Sequence, residues 1–552
     1  MNTSRNPWRL LLLAPALLSL ACNPDEGPGP QSDSHTNWLR TCGADVECDG
    51  LQCVCGMCTT PCDAGDSCTS TPGAACLPAS DAGVVAACAG SAPPITGMCL
   101  PRCDEQGCGP LAECVAGSCQ PTRAPSTEIE LDATSRLQSL TGFGATVGYS
   151  EAELATLADR TALDRAMFTE LGLDVLRFRN RYAEVNDALL GQATTLVSAA
   201  TEQLGRRPLV LLTAWSPPAS LKQNGGTFCL GGPDNCTLTL LDSGEFDYPG
   251  LAAYWRDSLA AYAQAGLSPD YIGIQNNPDW VPPPGVTAEA CKFLPKEGDE
   301  GGTRYPGYEQ ALTAVVDALE ELDAKPRILA PELSGIYRNE VYLSELDMSR
   351  VDAIAHHMYG LDGEHVDTSS LSALGELREQ MGRPLFQTEM QAGGFDTALL
   401  MHHALVTEGA AMYLQTALVG PRSGPSTNPT ALIGLEDGEF VLQDPYFAMS
   451  HYARFTDPGW RRVRTNSGDA KALASAWLSP DGSSLSVVLI NAGTRERVIA
   501  LGGATLGPAR VTRTVFDGSE RMADLGRLKA GSPITLPPRS MATARFDVDF
   551  GE

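Results

Sequence analysis

The stretch YIGIQNNPDWVPPP, residues 271–284, opens as an apolar run and closes in a polar, proline-ended tip. An apolar strand that delivers polar residues to a loop at its C-terminal end is the arrangement in which a barrel of alternating strands and helices keeps its chemistry. At the centre of this tip stand two amides, Asn276 and Asn277, where a catalytic carboxylate would be expected.

Outward from this tip, short apolar runs alternate with longer amphipathic stretches between Leu140 and His451. The strand candidates are Leu140 to Ala145, Val175 to Phe178, Leu209 to Ala214, Tyr271 to Gln275, Ile328 to Ala330, Ala353 to Met358, Leu385 to Thr388 and Ala411 to Gln415. Between them, patterns such as YPGLAAYWRDSLAAYAQAG (residues 248–266) place apolar residues three and four apart, the spacing of a helix with one buried face. Eight such units predict an α/β fold, a (β/α)8 TIM barrel, over residues 140–455. Beyond it, residues 456–552 alternate with the period of strands, and Ser479-Pro480-Asp481-Gly482 marks a turn between two of them, so a side β-sandwich is expected. TEIELDAT, within 126–139, has the same alternation and is expected to add a strand to that sandwich.

Upstream the texture differs. Arg5 and Arg9 precede an apolar run from Leu10 to Leu20, too short to span a bilayer as a mature helix, so residues 1–21 read as an export signal. LSLAC, ending at Cys22, resembles a bacterial lipoprotein signal in which Cys22 is acylated; an ordinary secretory signal cut nearby is the alternative. Residues 22–41 are rich in Pro, Gly, Ser and acid and are expected to form a flexible tether. Of 18 cysteines, fourteen crowd into residues 42–121, a segment with few large apolar side chains, which predicts a disulfide-rich unit. Cys55 and Cys58 have the spacing of a zinc knuckle, but an oxidising compartment and the lack of a regular repeat favour disulfides. Cys229 and Cys236 are expected to close a short loop, leaving Cys291 odd. The formal charge of −28 opposes tracking of a phosphate backbone, so nucleic acid is not an expected partner.

From about Glu128 to the end, the ordered pieces TGFGAT, LRFRN, TAWSPPASLKQNG, IGIQNNPDW, APELSG, IAHHMYG, PLFQTEM and YFAMSHYARFTDPGWRRV resemble glycoside hydrolase family 30, which contains glucosylceramidases, glucuronoxylanases and β-1,6-glucanases or galactanases. The resemblance implies a retaining β-glycosidase barrel with a side β-sandwich, an acid/base Glu after the fourth strand and a nucleophilic Glu after the seventh. Such chemistry needs two carboxylates across roughly 5 Å, one to attack the anomeric carbon and one to protonate the leaving oxygen. Glu389 in FQTEM fits the nucleophile. The acid/base position is Asn277, and an amide cannot exchange a proton near neutral pH.

Three readings of Asn277 stay open. Another acid is recruited, with Asp279 or a residue of KFLPKEGDEGG (292–302) as candidates; the barrel is a pseudoenzyme that binds carbohydrate at a surface; or the substrate needs no added proton. Among the other positions that match the family, Arg177 is expected to support the nucleophile. Its neighbour Arg179 is expected to point to the opposite strand face. Asn276 is expected to bond the sugar 2-hydroxyl, Trp215 and Trp280 to offer aromatic platforms, and Tyr359 to orient the nucleophile. Of the adjacent His356 and His357, only one can line the pocket, with His357 the candidate. Where the family often carries a Trp at the eighth strand end, this chain has Gln415 or Thr416. No cofactor or metal is expected. The expected partners are a carbohydrate and, through Cys22, a membrane, with the protein exported to the bacterial cell envelope or surface.

Overall fold

The eight strands read from the sequence close into one parallel barrel in the computed structural model of the chain. They run Gly142–Thr146, Val175–Arg179, Leu209–Thr213, Tyr271–Gly273, Arg327–Leu333, Ala353–His357, Leu385–Met390 and Met412–Thr416. Each pairs with the next, and the eighth with the first, so the barrel has no open edge. The structure describes residues 39–548, apart from 40–41, 49, 64–67, 69–70, 72–73, 89–93, 95, 104–111, 122–124, 149–153, 155–158, 183–186, 231–235 and 423–426. Cys22 and the signal and tether segments lie outside the described residues.

Strand alternation sorts the side chains. Val175, Leu211, Tyr271, Leu329, Ala353, Ala355 and Phe386 form a core inside the barrel. Leu176, Phe178, Val210, Leu212, Ile272 and Ile354 point outward to the layer of helices. The helices begin and end where local chemistry dictates. In Tyr248–Gln264, Asp247 accepts from Gly250 N at 2.8 Å, and Leu251, Trp255, Leu259 and Tyr262 bury one face. Thr368–Met381 starts on Asp367 and stops at Gly382, whose φ of +62° suits a glycine.

The strand before the barrel and those after it join one nine-stranded sheet. Thr127–Ser139 lies between Arg461–Ser467, antiparallel, and Arg497–Gly502, parallel. The sheet curls around its own core, to which Ile129, Val463, Ala474, Val487, Val511 and Ala544 contribute. Trp477, Val488, Ile490 and Met541, on the other face, join the core of the barrel and its helices. The strand expected within 126–139 is present as Thr127–Ser139.

By its contacts the chain divides into two compact units, Met1–Thr122 and Arg123–Glu552. In the first, short hairpins such as Gln52–Val54 with Met57–Thr59 and Ala75–Pro78 with Gly97–Leu100 surround a small core that includes Met57, Leu77, Val84 and Met98. Among the described residues, the bridges Cys42–Cys53, Cys48–Cys58, Cys55–Cys88, Cys62–Cys76 and Cys68–Cys99 staple it, and Cys103 and Cys119 are disulfide-bonded too. Cys55 and Cys58 thus sit in separate bridges. In the second unit Cys229 bonds Cys236, and Cys291 is a buried free thiol.

Candidate active site

The second barrel strand carries the pivot of the site. Val175 and Arg177 face inward while Leu176 and Phe178 pack outward, and Arg177 has no exposed surface. Its guanidinium donates from Nη1 to Glu389 Oε2 at 2.6 Å, and from Nη2 to Asn276 Oδ1 at 2.7 Å and Glu332 Oε1 at 3.2 Å. It also lies 4.6 Å from the centre of the half-buried Trp215 ring. Burial opposes a charge here, but Glu332 and Glu389 outweigh it and hold Arg177 above the usual arginine range.

The expectation that Arg179 points away from Arg177 is wrong. Residues two apart on a strand share a face, and Arg179 is likewise buried, paired with Glu289.

Glu389 comes from the end of the seventh strand, where the pairing register shifts against both neighbours, His357 being paired with Glu389 and Met390 with Gln415. Such an irregularity turns a side chain off the plain alternation, here toward Arg177. The Tyr359 hydroxyl donates to Glu389 Oε1 at 2.8 Å, so both carboxylate oxygens are held. Burial, with the Glu389 charge second, keeps the Tyr359 proton well above the usual phenol range.

At the fourth strand, Asn276 N donates to Ala214 O at 2.7 Å and Asn277 N to Glu332 O at 3.0 Å, which ties this tip to its neighbours. Asn277 adopts a φ of +48°, a left-handed conformation that Asn tolerates better than most residues. Its Oδ1 lies 2.8 Å from His357 Nδ1. Burial and the nearby Arg177 push His357 well below the usual imidazole range, so the ring is neutral and its Nδ1–H donates to the amide oxygen. His357 is the inward member of its pair; His356 turns outward to the buried Glu408.

Asp279 and Trp280 stand outside this network. Asp279 accepts from Ser334 N at 2.9 Å and Ser334 Oγ at 3.0 Å, and Trp280 packs on the Cys229–Cys236 cluster. In the following loop Glu297 accepts from Tyr248 and pairs with Arg304, and Glu300 pairs with Lys292. At the eighth strand, Gln415 Nε2 donates to Ala392 O and Thr430 O, both at 2.7 Å, and Thr416 Oγ1 bonds Thr146 Oγ1 at 3.0 Å. These two side chains fasten loops and strands to one another.

Glu332, in the fifth strand, escaped the sequence reading. It is wholly buried, at φ +55°, where the register shifts between Pro331 and Leu333. Thr213 donates to its Oε2 at 3.0 Å, and Gly273 makes the room: a Cβ there would lie 1.7 Å from Glu332 Oε2. Burial raises its carboxyl above the usual range despite Arg177 and Thr213. The available signal was a carboxylate inside the otherwise apolar run ILAPEL, residues 328–333.

The arrangement joins one carboxylate, gripped by a cation and a phenol at the barrel mouth, to an amide bonded to a neutral imidazole. The first can attack an electrophilic carbon; the second has no proton to exchange.

No family model matches the chain. Solved structures share its fold. A glycoside hydrolase family 30 subfamily 8 xylanase from Clostridium acetobutylicum is 20% identical, with 76% of this chain and 100% of that chain covered and a TM-score of 0.57. The catalytic domain of a family 30 xylanase C from Talaromyces cellulolyticus is 19% identical, with 76% and 100% covered and a TM-score of 0.59. An endo-β-1,6-glucanase is 15% identical, with 78% and 95% covered and a TM-score of 0.56. The fold is therefore that of the family 30 glycoside hydrolases.

Proposed function

We propose that the chain is a glycoside hydrolase of the retaining β-glycosidase type, acting on an extracellular poly- or oligosaccharide or a simpler glycoside, with Glu389 as nucleophile and Asn277 at the acid/base position. The observation that carries this reading is the setting of Glu389, whose two oxygens are fixed by Arg177 at 2.6 Å and Tyr359 at 2.8 Å at the strand ends of the barrel. Glu389 attacks the anomeric carbon, forming a glycosyl ester as the bond to the leaving oxygen breaks; water then cleaves the ester. Arg177 holds the nucleophile in place. Asn276 spends its oxygen on Arg177, which leaves its amide N–H groups for the sugar 2-hydroxyl. At Asn277 no carboxyl protonates the departing oxygen, so the reaction favours leaving groups that depart as stable anions.

Aryl β-glycosides with good leaving groups test this, with azide as an added nucleophile and Glu389→Gln as control. Azide-accelerated release that the control abolishes is expected. Release that survives in Glu389→Gln overturns the assignment.

A second reading, a surface carbohydrate-binding protein that no longer turns substrate over, is favoured by the engagement of the nearby polar groups. Asn277 is bonded to His357, Asp279 to Ser334, and Glu297 and Glu300 to basic side chains. Oligosaccharide binding without release from any aryl glycoside would decide for it. Export, with anchoring through an acylated Cys22, belongs to the same proposal; the disulfides of the first unit and the N-terminal pattern support export.

A further inference from the structure

A cavity of about 530 Å³ lies where the helices behind the barrel meet the side sheet. Its wall includes Arg136 and Gln138 from Thr127–Ser139, Arg462 from Arg461–Ser467, Arg378 from Thr368–Met381, and Glu408 with Gly409, just ahead of the eighth barrel strand. This is the N-terminal end of the barrel, opposite the strand ends that carry Glu389 and Asn277.

Three arginines and, counting Glu376 and Glu379, three glutamates line this wall, but they are not paired one to one. Among the described residues no carboxylate pairs with Arg136 or Arg462, and Arg378 bonds only the exposed Glu379, at 2.7 Å. Arg136 Nη1 and Arg378 Nε are buried without a hydrogen-bond partner. Arg462 gives Nε to Gln138 Oε1 at 2.8 Å, and burial, together with Arg464 and Arg378, pulls it down to about 10. Donors desolvated and left unpaired cost stability, and clustered like charges add to that cost; a bound anion removes both. Glu408 gives one oxygen to His356, and its Oε2 is buried with no donor. A ligand that meets both needs carries an oxyanion for the arginines and a hydroxyl for Glu408. A cavity of this size takes a molecule of sugar dimensions.

We propose that this cavity is a binding site for a small hydroxylated oxyanion, a phosphate ester or carboxylate on a sugar-sized carrier, separate from the barrel mouth and held by Arg136, Arg378 and Arg462. Titration calorimetry of the full chain with glucose 6-phosphate, inorganic phosphate and glucose tests it. The two anions are expected to bind saturably, more weakly as salt rises, and the neutral sugar not at all. Arg136→Met and Arg462→Met are each expected to weaken glucose 6-phosphate binding by about tenfold, the scale of one lost charge-assisted hydrogen bond. Glu379→Gln frees Arg378 from its carboxylate and should tighten it severalfold, which keeps the proposal open to failure if the arginine variants do not fold. Equal binding of glucose, anion affinity untouched by the arginine variants, or no gain in Glu379→Gln overturns the site. Binding is read without turnover, so failure here leaves the proposed function standing.

Discussion

The seventh and fourth barrel strands end at one mouth, yet they are furnished for different work. Glu389 meets a guanidinium and a phenol, each within 2.8 Å. Asn277 meets a neutral imidazole and a neighbour's backbone carbonyl. A carboxylate at Asn277 would face a His357 with no charge to offer it. On the proposed function, the two halves of a double-carboxylate apparatus are separable: the attacking half is built into a charged network, and the proton-transfer half into a neutral one.

The hardest blow to this contrast comes from Glu389→Gln, which should cut release from activated aryl glycosides at least about a thousandfold, since a covalent step loses its nucleophile. Next, Asn277→Glu should raise hydrolysis of glycosides with poor leaving groups by about two to four powers of ten, the usual worth of general acid/base help, and should restore a bell-shaped pH profile. An unchanged rate would show that the fourth strand had lost more than a carboxyl. Asp279→Ala sharpens the same point: it should cost about 1–2 kcal/mol in denaturant unfolding through the lost bonds to Ser334, with kcat preserved. A collapse of kcat together with a shifted acid limb would mark Asp279 as a recruited acid.

The smallest effect concerns pH. His357 is depressed by burial, so its contribution to stability is present above the unfolded value of about 6.5 and is lost as pH falls below it. His356 is raised: burial works against the charge, but Glu408 prevails, so its contribution is full below about 6.5 and fades as pH rises through its folded value. In urea midpoints measured from pH 5 to 8, His357→Gln should flatten the acid side and His356→Gln the neutral side. Parallel curves for the two variants would contradict their opposite settings.

The barrel was legible because each strand is a short apolar run between helix patterns, and period-two alternation sends its residues inward or outward. Glu389 was legible through its motif. What the run of residues does not disclose is where a strand breaks step. Glu332 sits at a register shift, and its carboxyl fills a space that exists because Gly273, on the preceding strand, has no side chain. That complementarity joins positions far apart in the chain. Trp280 looked like a sugar platform by type alone, whereas its packing on Cys229 and Cys236 depends on a loop closure that type does not encode. The misreading of Arg179 was one of parity, since residues 177 and 179 share a face.

Because Thr127–Ser139 finds its partners only beyond the barrel, the first strand of the second unit is also among the last to be satisfied. Arg461 Nε meets Leu137 O across 324 positions of chain. A chain emerging N-terminus first would carry this strand unpaired until nearly all of the barrel had followed it, with both hydrogen-bonding edges free to recruit a stray strand. A premature stop anywhere before Arg461 would thus leave this side-sheet strand, ahead of the barrel, with both edges sticky, and folding becomes a check that the whole message has been read.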